Sequence, residues 1–211
     1  MMGRDGLTPE IELDNTTEVT VAGLRLLVRP IRPTDKELLQ TGFGAMSAES
    51  RAQRFHGSVS QLSPSTLRYF TEIDYVNHFA VVVLDLETDL TGVGFGRYIR
   101  IRDRPDAAEI ALAVIDCYQG RGIGTVVVDA LTATALSAGI DSFVVSVRLD
   151  NLPMRALLGV GTGGPPPDNA GVLTYECDLR SQDAARQSRP MYRAFRGAAA
   201  EAASHRTVSG G

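Results

Sequence analysis

Six consecutive residues, Gln119-Gly120-Arg121-Gly122-Ile123-Gly124, carry the clearest chemical signal in the chain. Behind them, Ile123 to Ala138 has small and apolar residues at helical spacing and stops at Gly139, which predicts a helix opening directly on the glycines. The first N–H groups of a helix have no partner inside it, and a loop of glycines lets backbone N–H groups close on an anion. The chemistry this suits is the grip of a phosphate or diphosphate. The same glycines also serve as plain punctuation between a strand and a helix, so by itself the loop admits both readings. It is not a Walker loop, because no Gly-Lys-Ser/Thr follows, and a dinucleotide fingerprint would open the first strand–helix unit of a parallel sheet. Other reactive types are scattered. His56 and His78 could touch a substrate but read more simply as structural histidines, and Tyr75 could line a channel or merely pack. Cys117 stands near the loop without the paired His and Asp of a nucleophile. Two cysteines and three histidines, so dispersed, assemble no metal cluster.

The elements that must present this loop follow from apolar patterning. Met1 to Asn15 mixes Gly, Pro and acids without period and reads as a mobile tail, so that the tail is set at 1–17 and an ordered domain at 18–180. Gly23 to Arg29 is a strand stopped by Pro30. Helix starts follow at Pro33-Thr34-Asp35, at Ser47 for a helix to Phe55, and at Ser63-Pro64-Ser65-Thr66 for one holding Leu67, Phe70 and Ile73. His78–Asp85, Thr91–Arg102 and Glu109–Asp116 form an antiparallel meander, broken at Glu87-Thr88-Asp89 and at Asp103 to Asp106. Ser142–Leu149 is a strand reached by a crossover helix and therefore parallel to the last meander strand. Leu152–Leu158 gives a short helix and Val172–Leu179 the closing strand. Arg180 to Gly211 holds six arginines against two acids and reads as a flexible Arg/Ala-rich tail, disordered or a single loose helix, over 181–211.

Quoted in order, the strand Leu112-Ala113-Val114, the segment Gln119-x-x-Gly122-x-Gly124 and the strand–helix–strand grammar around them resemble the GNAT superfamily of N-acetyltransferases. The resemblance covers about Leu24 to Leu179. It implies an α/β (α+β) GNAT fold, a mixed central sheet of six to seven strands with helices on both faces. Within the superfamily, Arg29-Pro30-Ile31-Arg32-Pro33-Thr34-Asp35, Met46 to Arg51, Asp74 to His78 and Ala108 to Val114 resemble the catalytic domain of actinobacterial protein lysine acetyltransferases of the cyclic-AMP-regulated type. The cyclic nucleotide module has no room in 211 residues, so a differently regulated relative is expected.

What the resemblance implies about residues is specific. Acetyl-CoA as co-substrate is held by Leu112, Ala113 and Val114, by Gln119, Gly120, Arg121, Gly122, Ile123, Gly124 and Thr125, and by Asn151 with Arg155 one turn on. Glu109 matches the general base, needed because a lysine amine of pKa near 10.4 is mostly protonated. Without the resemblance Glu109 would read as a solvated strand-end residue, Asn151 as an N-cap, and Leu112 and Val114 as ordinary buried positions. The family's acid tyrosine has Leu158 in its place, and Gly159 to Ala170, rich in Gly and Pro, replaces what is normally a loop and a further strand.

The composition limits partners. A net charge of −4 supplies no general pull toward nucleic acid or an anionic membrane, and no apolar run approaches the ~20 residues of a span. The N-terminus lacks the apolar stretch of a secretory signal, which makes the cytoplasm the expected address. The expected reaction is acetyl transfer from acetyl-CoA to a protein lysine, on a partner such as an acyl-CoA synthetase or a stress protein, by a monomer or homodimer. A small-molecule amine or a protein N-terminus as acceptor, or a degenerate acyl-CoA sensor, are the other readings.

Overall fold

The computed structural model describes residues 16–55, 60–159, 168 and 171–208, with the backbone alone at 53–55 and 205–208. Seven strands form one sheet in chain order: β1 (Thr17–Val21), β2 (Leu24–Pro30), β3 (His78–Asp85), β4 (Thr91–Ile101), β5 (Arg104–Val114), β6 (Ser142–Arg148) and β7 (Val172–Asp178). Every neighbouring pair is antiparallel except β5 and β6. Helices α1 (Lys36–Gly44), α2 (Ala48–Phe55) and α3 (Pro64–Thr71) follow β2, α4 (Ile123–Ser137) crosses from β5 to β6, and α5 (Leu152–Leu157) follows β6. This is the expected mixed sheet with helices on both faces.

Which face each helix takes is decided by residue size along β4. Gly96 lies under α4, where an added Cβ would sit 2.2 Å from Val127 and 3.1 Å from Leu131, so any larger residue forces the helix off the sheet. On the opposite face, Phe95 meets Phe70 of α3 with ring centroids 5.6 Å apart. Val126, Val127 and Leu131 of α4 and Val83 of β3 are fully shielded and hold α4 over β3 to β5, while Val82 and Phe95 turn to the α1 and α3 face. Burying each such side chain contributes roughly 1.5–3 kcal/mol.

Three elements differ from what patterning predicts. β1 precedes the first predicted strand and joins β2 by a two-residue turn, Ala22-Gly23, with φ of 48° and 78°. Such a turn is ordinarily written Asn-Gly or Asp-Gly, and Ala22 hides the signal. β5 begins at Arg104 rather than Glu109, since Arg104 pairs with Ile101 and the register irregularity at Arg100/Ile101 takes up Pro105 to Ala107 within the strand.

The third difference is the arginine-rich end. In place of a flexible tail or one loose helix, α6 (Leu179–Gln187) and α7 (Pro190–Val208) pack against α4. Tyr192, Phe195 and Ala199 are buried there. Asp129 of α4, with no exposed surface, accepts from Arg186 and from Arg189 at 3.1 Å, and Arg196 donates to the Ala133 carbonyl at 3.2 Å. Arg186, Arg189 and Arg196 are therefore spent on the domain itself, as is Arg180, which pairs with Asp141 at 2.8 Å. A buried carboxylate with two guanidinium partners is tolerated because both of its oxygens are satisfied. The predicted N-terminal tail lies outside the described residues up to Asn15.

Candidate functional site

The site is a split in the sheet. β5 and β6 stay in register only at Ala107↔Ser142, Ala108↔Phe143 and Glu109↔Val144. Past that point they diverge, and an open cleft of about 570 Å³ is lined by Glu109 to Val114 on one side and by Val144 to Val147 on the other. The backbone of β5 in this stretch has a fixed polarity. The Ile115 N–H donates to the Val93 carbonyl at 3.1 Å, which turns the odd residues toward β4. By the alternation of an antiparallel ladder, Leu112 and Val114 then direct their N–H and C=O groups into the cleft, beyond the last β5–β6 pair. The Val114 carbonyl there accepts the Gln119 amide at 3.1 Å.

At the wide end the glycine loop meets α4. Gly122 takes the left-handed conformation at φ 84° as N-cap, and no side chain caps the helix. A Cβ on Gly122 would lie 2.9 Å from Val21 and one on Gly124 3.0 Å from Leu157, while Gly120, at φ 70°, faces open space. The loop is thus hemmed on its protein side and bare toward the cleft. Gly120, Gly122, Ile123, Gly124, Thr125 and Gln119 all line that cleft.

The loop is also tied down. Asp116, in the short 3₁₀ turn Asp116–Tyr118, accepts the Ser47 N–H at 2.8 Å, the Ser47 hydroxyl at 2.7 Å and the Ser50 hydroxyl at 2.8 Å. Gln119 donates to Ser50 at 3.2 Å, so α2 and the loop are fastened through one serine. Burial alone would raise the Asp116 pKa, but the donors from Ser47 and Ser50 bring it below the ordinary carboxylate value. On the other side of the turn the Tyr118 hydroxyl donates to buried Asp85 at 2.6 Å, and this bond, with the Glu87 N–H, holds Asp85 below the usual carboxylate range.

At the apex the chemistry changes. Glu109 is exposed at the last β5–β6 pair and lines the cleft. Arg97 of β4 lines it too, with its guanidinium 4.9 Å from the Tyr69 ring centroid and 4.8 Å from that of Phe70. Among the described lining residues these two are the only charged ones. His78, close by, is pushed down to about 4 by burial and by the Arg97 charge, against a smaller pull from Asp74, and is neutral at neutral pH.

Of the residues singled out from sequence, Glu109, Leu112, Ala113, Val114, Gln119, Gly120, Gly122, Ile123, Gly124, Thr125 and Asn151 are brought to this cleft. Asn151 also caps α5, its side-chain oxygen accepting the Met154 N–H at 3.1 Å, so both of its readings coexist. Arg121 and Arg155 do not line the cleft. Arg121 lies over the Tyr118 ring at 5.3 Å, and Arg155 is buried, donating to the Leu149 carbonyl at 3.3 Å. Tyr75 packs, its hydroxyl donating to the Ile31 carbonyl at 2.9 Å, while Cys117 is exposed on the 3₁₀ turn and Leu158 is core. His56 and most of Gly159 to Ala170 fall outside the described residues. Sequence reading missed Arg97, Ser50, Asp116 and Tyr118, whose part here depends on register and on the packing of α2, neither of which leaves a local signal. Among the described residues no group of three or more His, Cys, Asp or Glu is placed to hold a metal ion, and no helix is long and apolar enough to cross a membrane.

Residues 25–159 match the family described as the acetyltransferase (GNAT) domain. The chain is 31% identical over 156 residues to the acetyltransferase Pat of Mycolicibacterium smegmatis, covering 74% of this chain and 46% of Pat, so it spans about half the length of that relative. It is 30% identical over 167 residues to an acetyltransferase of Pseudomonas aeruginosa, covering 77% of this chain and 89% of that one. Among solved structures it resembles the GNAT domain of S. lividans PAT, with a TM-score of 0.71 at 27% identity over 78% of this chain and 97% of that chain.

Proposed function

Because this chain belongs to the GNAT acetyltransferase family, we propose that it moves the acetyl group of acetyl-CoA to the side-chain amine of a protein lysine, with Glu109 as general base. The observation that carries this reading is the unzipped edge of β5 beside an uncapped helix start. Leu112 and Val114 offer backbone groups that an extended amide-bearing arm can pair with as an added strand, and the α4 N-terminus with Gly120 and Gly122 offers N–H groups to a diphosphate. Gln119, Gly124, Thr125 and Asn151 complete the donor contacts.

In this scheme Glu109 takes a proton from the lysine ammonium, directly or through water, the neutral amine attacks the thioester carbonyl carbon, and the new C–N bond forms as the C=O electrons move onto oxygen. A cleft-facing N–H such as that of Leu112 stabilises the oxyanion. Collapse expels the thiolate, the nitrogen sheds its second proton to solvent, and the thiolate is protonated from solvent. A thiol of pKa about 8.5 leaves largely as thiolate, which is why buried Leu158 in place of an acid does not stop the reaction. Holding amine and thioester together supplies most of the acceleration. The acceptor we propose is a protein, such as an acyl-CoA synthetase or a stress protein, as the resemblance to the protein lysine acetyltransferases implies.

Glu109→Gln tests the assignment. It should lower kcat by about 10²–10⁴-fold, the usual worth of a general base, while acetyl-CoA binding measured by calorimetry is retained. An acyl-CoA sensor without turnover, which the buried Leu158 favours, would show no turnover to lose. Failure of the wild-type chain to bind acetyl-CoA would overturn both.

A further inference from the structure

The acceptor end of the cleft holds one acid and one cation that do not neutralise each other. Glu109 pairs with Ile99 and Arg97 with Ala111 along an unbroken register, so the two side chains rise from the same face of adjacent strands, one diagonal step apart. Cβ atoms so placed stand about 7 Å or less apart, within reach of one small ligand. No ion pair joins them, and no carboxylate among the described residues pairs with Arg97. Its guanidinium instead packs against the neighbouring rings of Tyr69 and Phe70, and its Nη1 atom is shut off from solvent with no hydrogen-bond partner among the described residues. A part-buried guanidinium resting on two rings keeps its position, and one with an unmet donor is poorly compensated, so an anion in the cleft beside it is favoured. Among the described residues the remaining cleft lining, including the loop end, carries no charged side chain.

We infer that Arg97 is a specificity-determining residue and that the preferred acceptor carries a carboxylate close to its reactive amine, the amine directed to Glu109 and the carboxylate to Arg97. This rests on Glu109 marking the acceptor end. For a protein substrate the class is a lysine flanked by Asp or Glu, and the planar fork of Arg97 suits a carboxylate better than a lysine would. Asp74 does not compete for Arg97, because it accepts the Val76, Asn77 and His78 N–H groups at 2.8–2.9 Å.

The test uses the full chain, acetyl-CoA and two lysine peptides identical except for Glu or Gln beside the lysine. The wild type should favour the Glu peptide about tenfold in kcat/KM, expressed in KM, as one charge-assisted hydrogen bond implies. Arg97→Met should bring the ratio close to one, and Arg97→Lys, which keeps the charge without the fork, should leave it in between. A wild-type ratio near one overturns the inference without recourse to any variant, and so does a ratio that Arg97→Met leaves intact. A wild-type preference for succinyl-CoA over acetyl-CoA that Arg97→Met abolishes would put the carboxylate on the donor and overturn the acceptor assignment. Acetyl transfer to neither peptide would sink the lysine reading along with it.

Discussion

The two ends of the cleft are built by different means. The wide end is made of backbone: a left-handed glycine, an uncapped helix start and the free edge of β5, fastened by Asp116, Ser47, Ser50 and Gln119. The apex is made of side chains, Glu109 and Arg97, delivered by two strands and steadied by the rings of α3. A backbone site recognises what every donor molecule shares, a diphosphate and an amide-bearing arm. A side-chain site discriminates among acceptors, and it can be altered one residue at a time without disturbing the other end. In the reaction proposed above, the donor end supplies binding and the apex supplies proton transfer and choice.

Substitutions can break that division, and the largest effect on the donor end is expected at Gly122. Gly122→Val places a β-branched side chain at φ 84° and against Val21. Strain of about 1–3 kcal/mol at such a position should weaken acetyl-CoA binding roughly ten- to hundredfold by calorimetry. A Kd left unchanged would show that the loop does not hold the donor. Next is Asp116→Ala, which frees α2 from the loop by removing the acceptor of three hydrogen bonds. The acetyl-CoA Kd should rise about five- to tenfold, at about 1 kcal/mol for a net hydrogen bond, with kcat nearly constant and Asp116→Asn in between. Loss of kcat with Kd intact would mean that the two ends are not separable.

The smallest effect sharpens the apex. His78 is depressed to about 4 in the folded chain from an ordinary 6.5, so the unfolded chain takes up its proton first as pH falls. The folded state therefore loses stability between about pH 6.5 and 4 and gains nothing from this group above that window. His78→Gln should flatten the slope of thermal midpoint against pH over that range. An unchanged slope would mean that neither the burial of His78 nor the Arg97 charge acts as described.

Legibility in the sequence followed the same divide. The Gln119–Gly124 loop, the helix behind it and the meander strands could be placed because each is a local pattern, three glycines before a small-residue helix or short apolar runs between turns. The β1–β2 hairpin escaped because Ala22 fills a left-handed position without the customary Asn or Gly. The C-terminal helices escaped because Arg186 and Arg189 look like solvated charge until Asp129, about sixty residues earlier, is set beneath them. The resemblance sets Arg121 and Arg155 among the donor contacts, but Arg121 turns onto Tyr118 and the buried Arg155 donates to the Leu149 carbonyl.

By itself, then, the sequence determined the order of elements from β2 to β7 and the helix start able to meet a diphosphate, since each depends on residues within a few positions of one another, whereas Glu109 stands out as a candidate base only through the family resemblance. Only the tertiary structure decided that β5 and β6 part after Glu109, that Arg97 shares a face with it, and that Asp116 ties α2 to the loop. The reason is physical. Register and the divergence of two strands are fixed by how α4 seats on Gly94 and Gly96 and by the pairing of strands far apart in the chain, and no short window of residues carries that information.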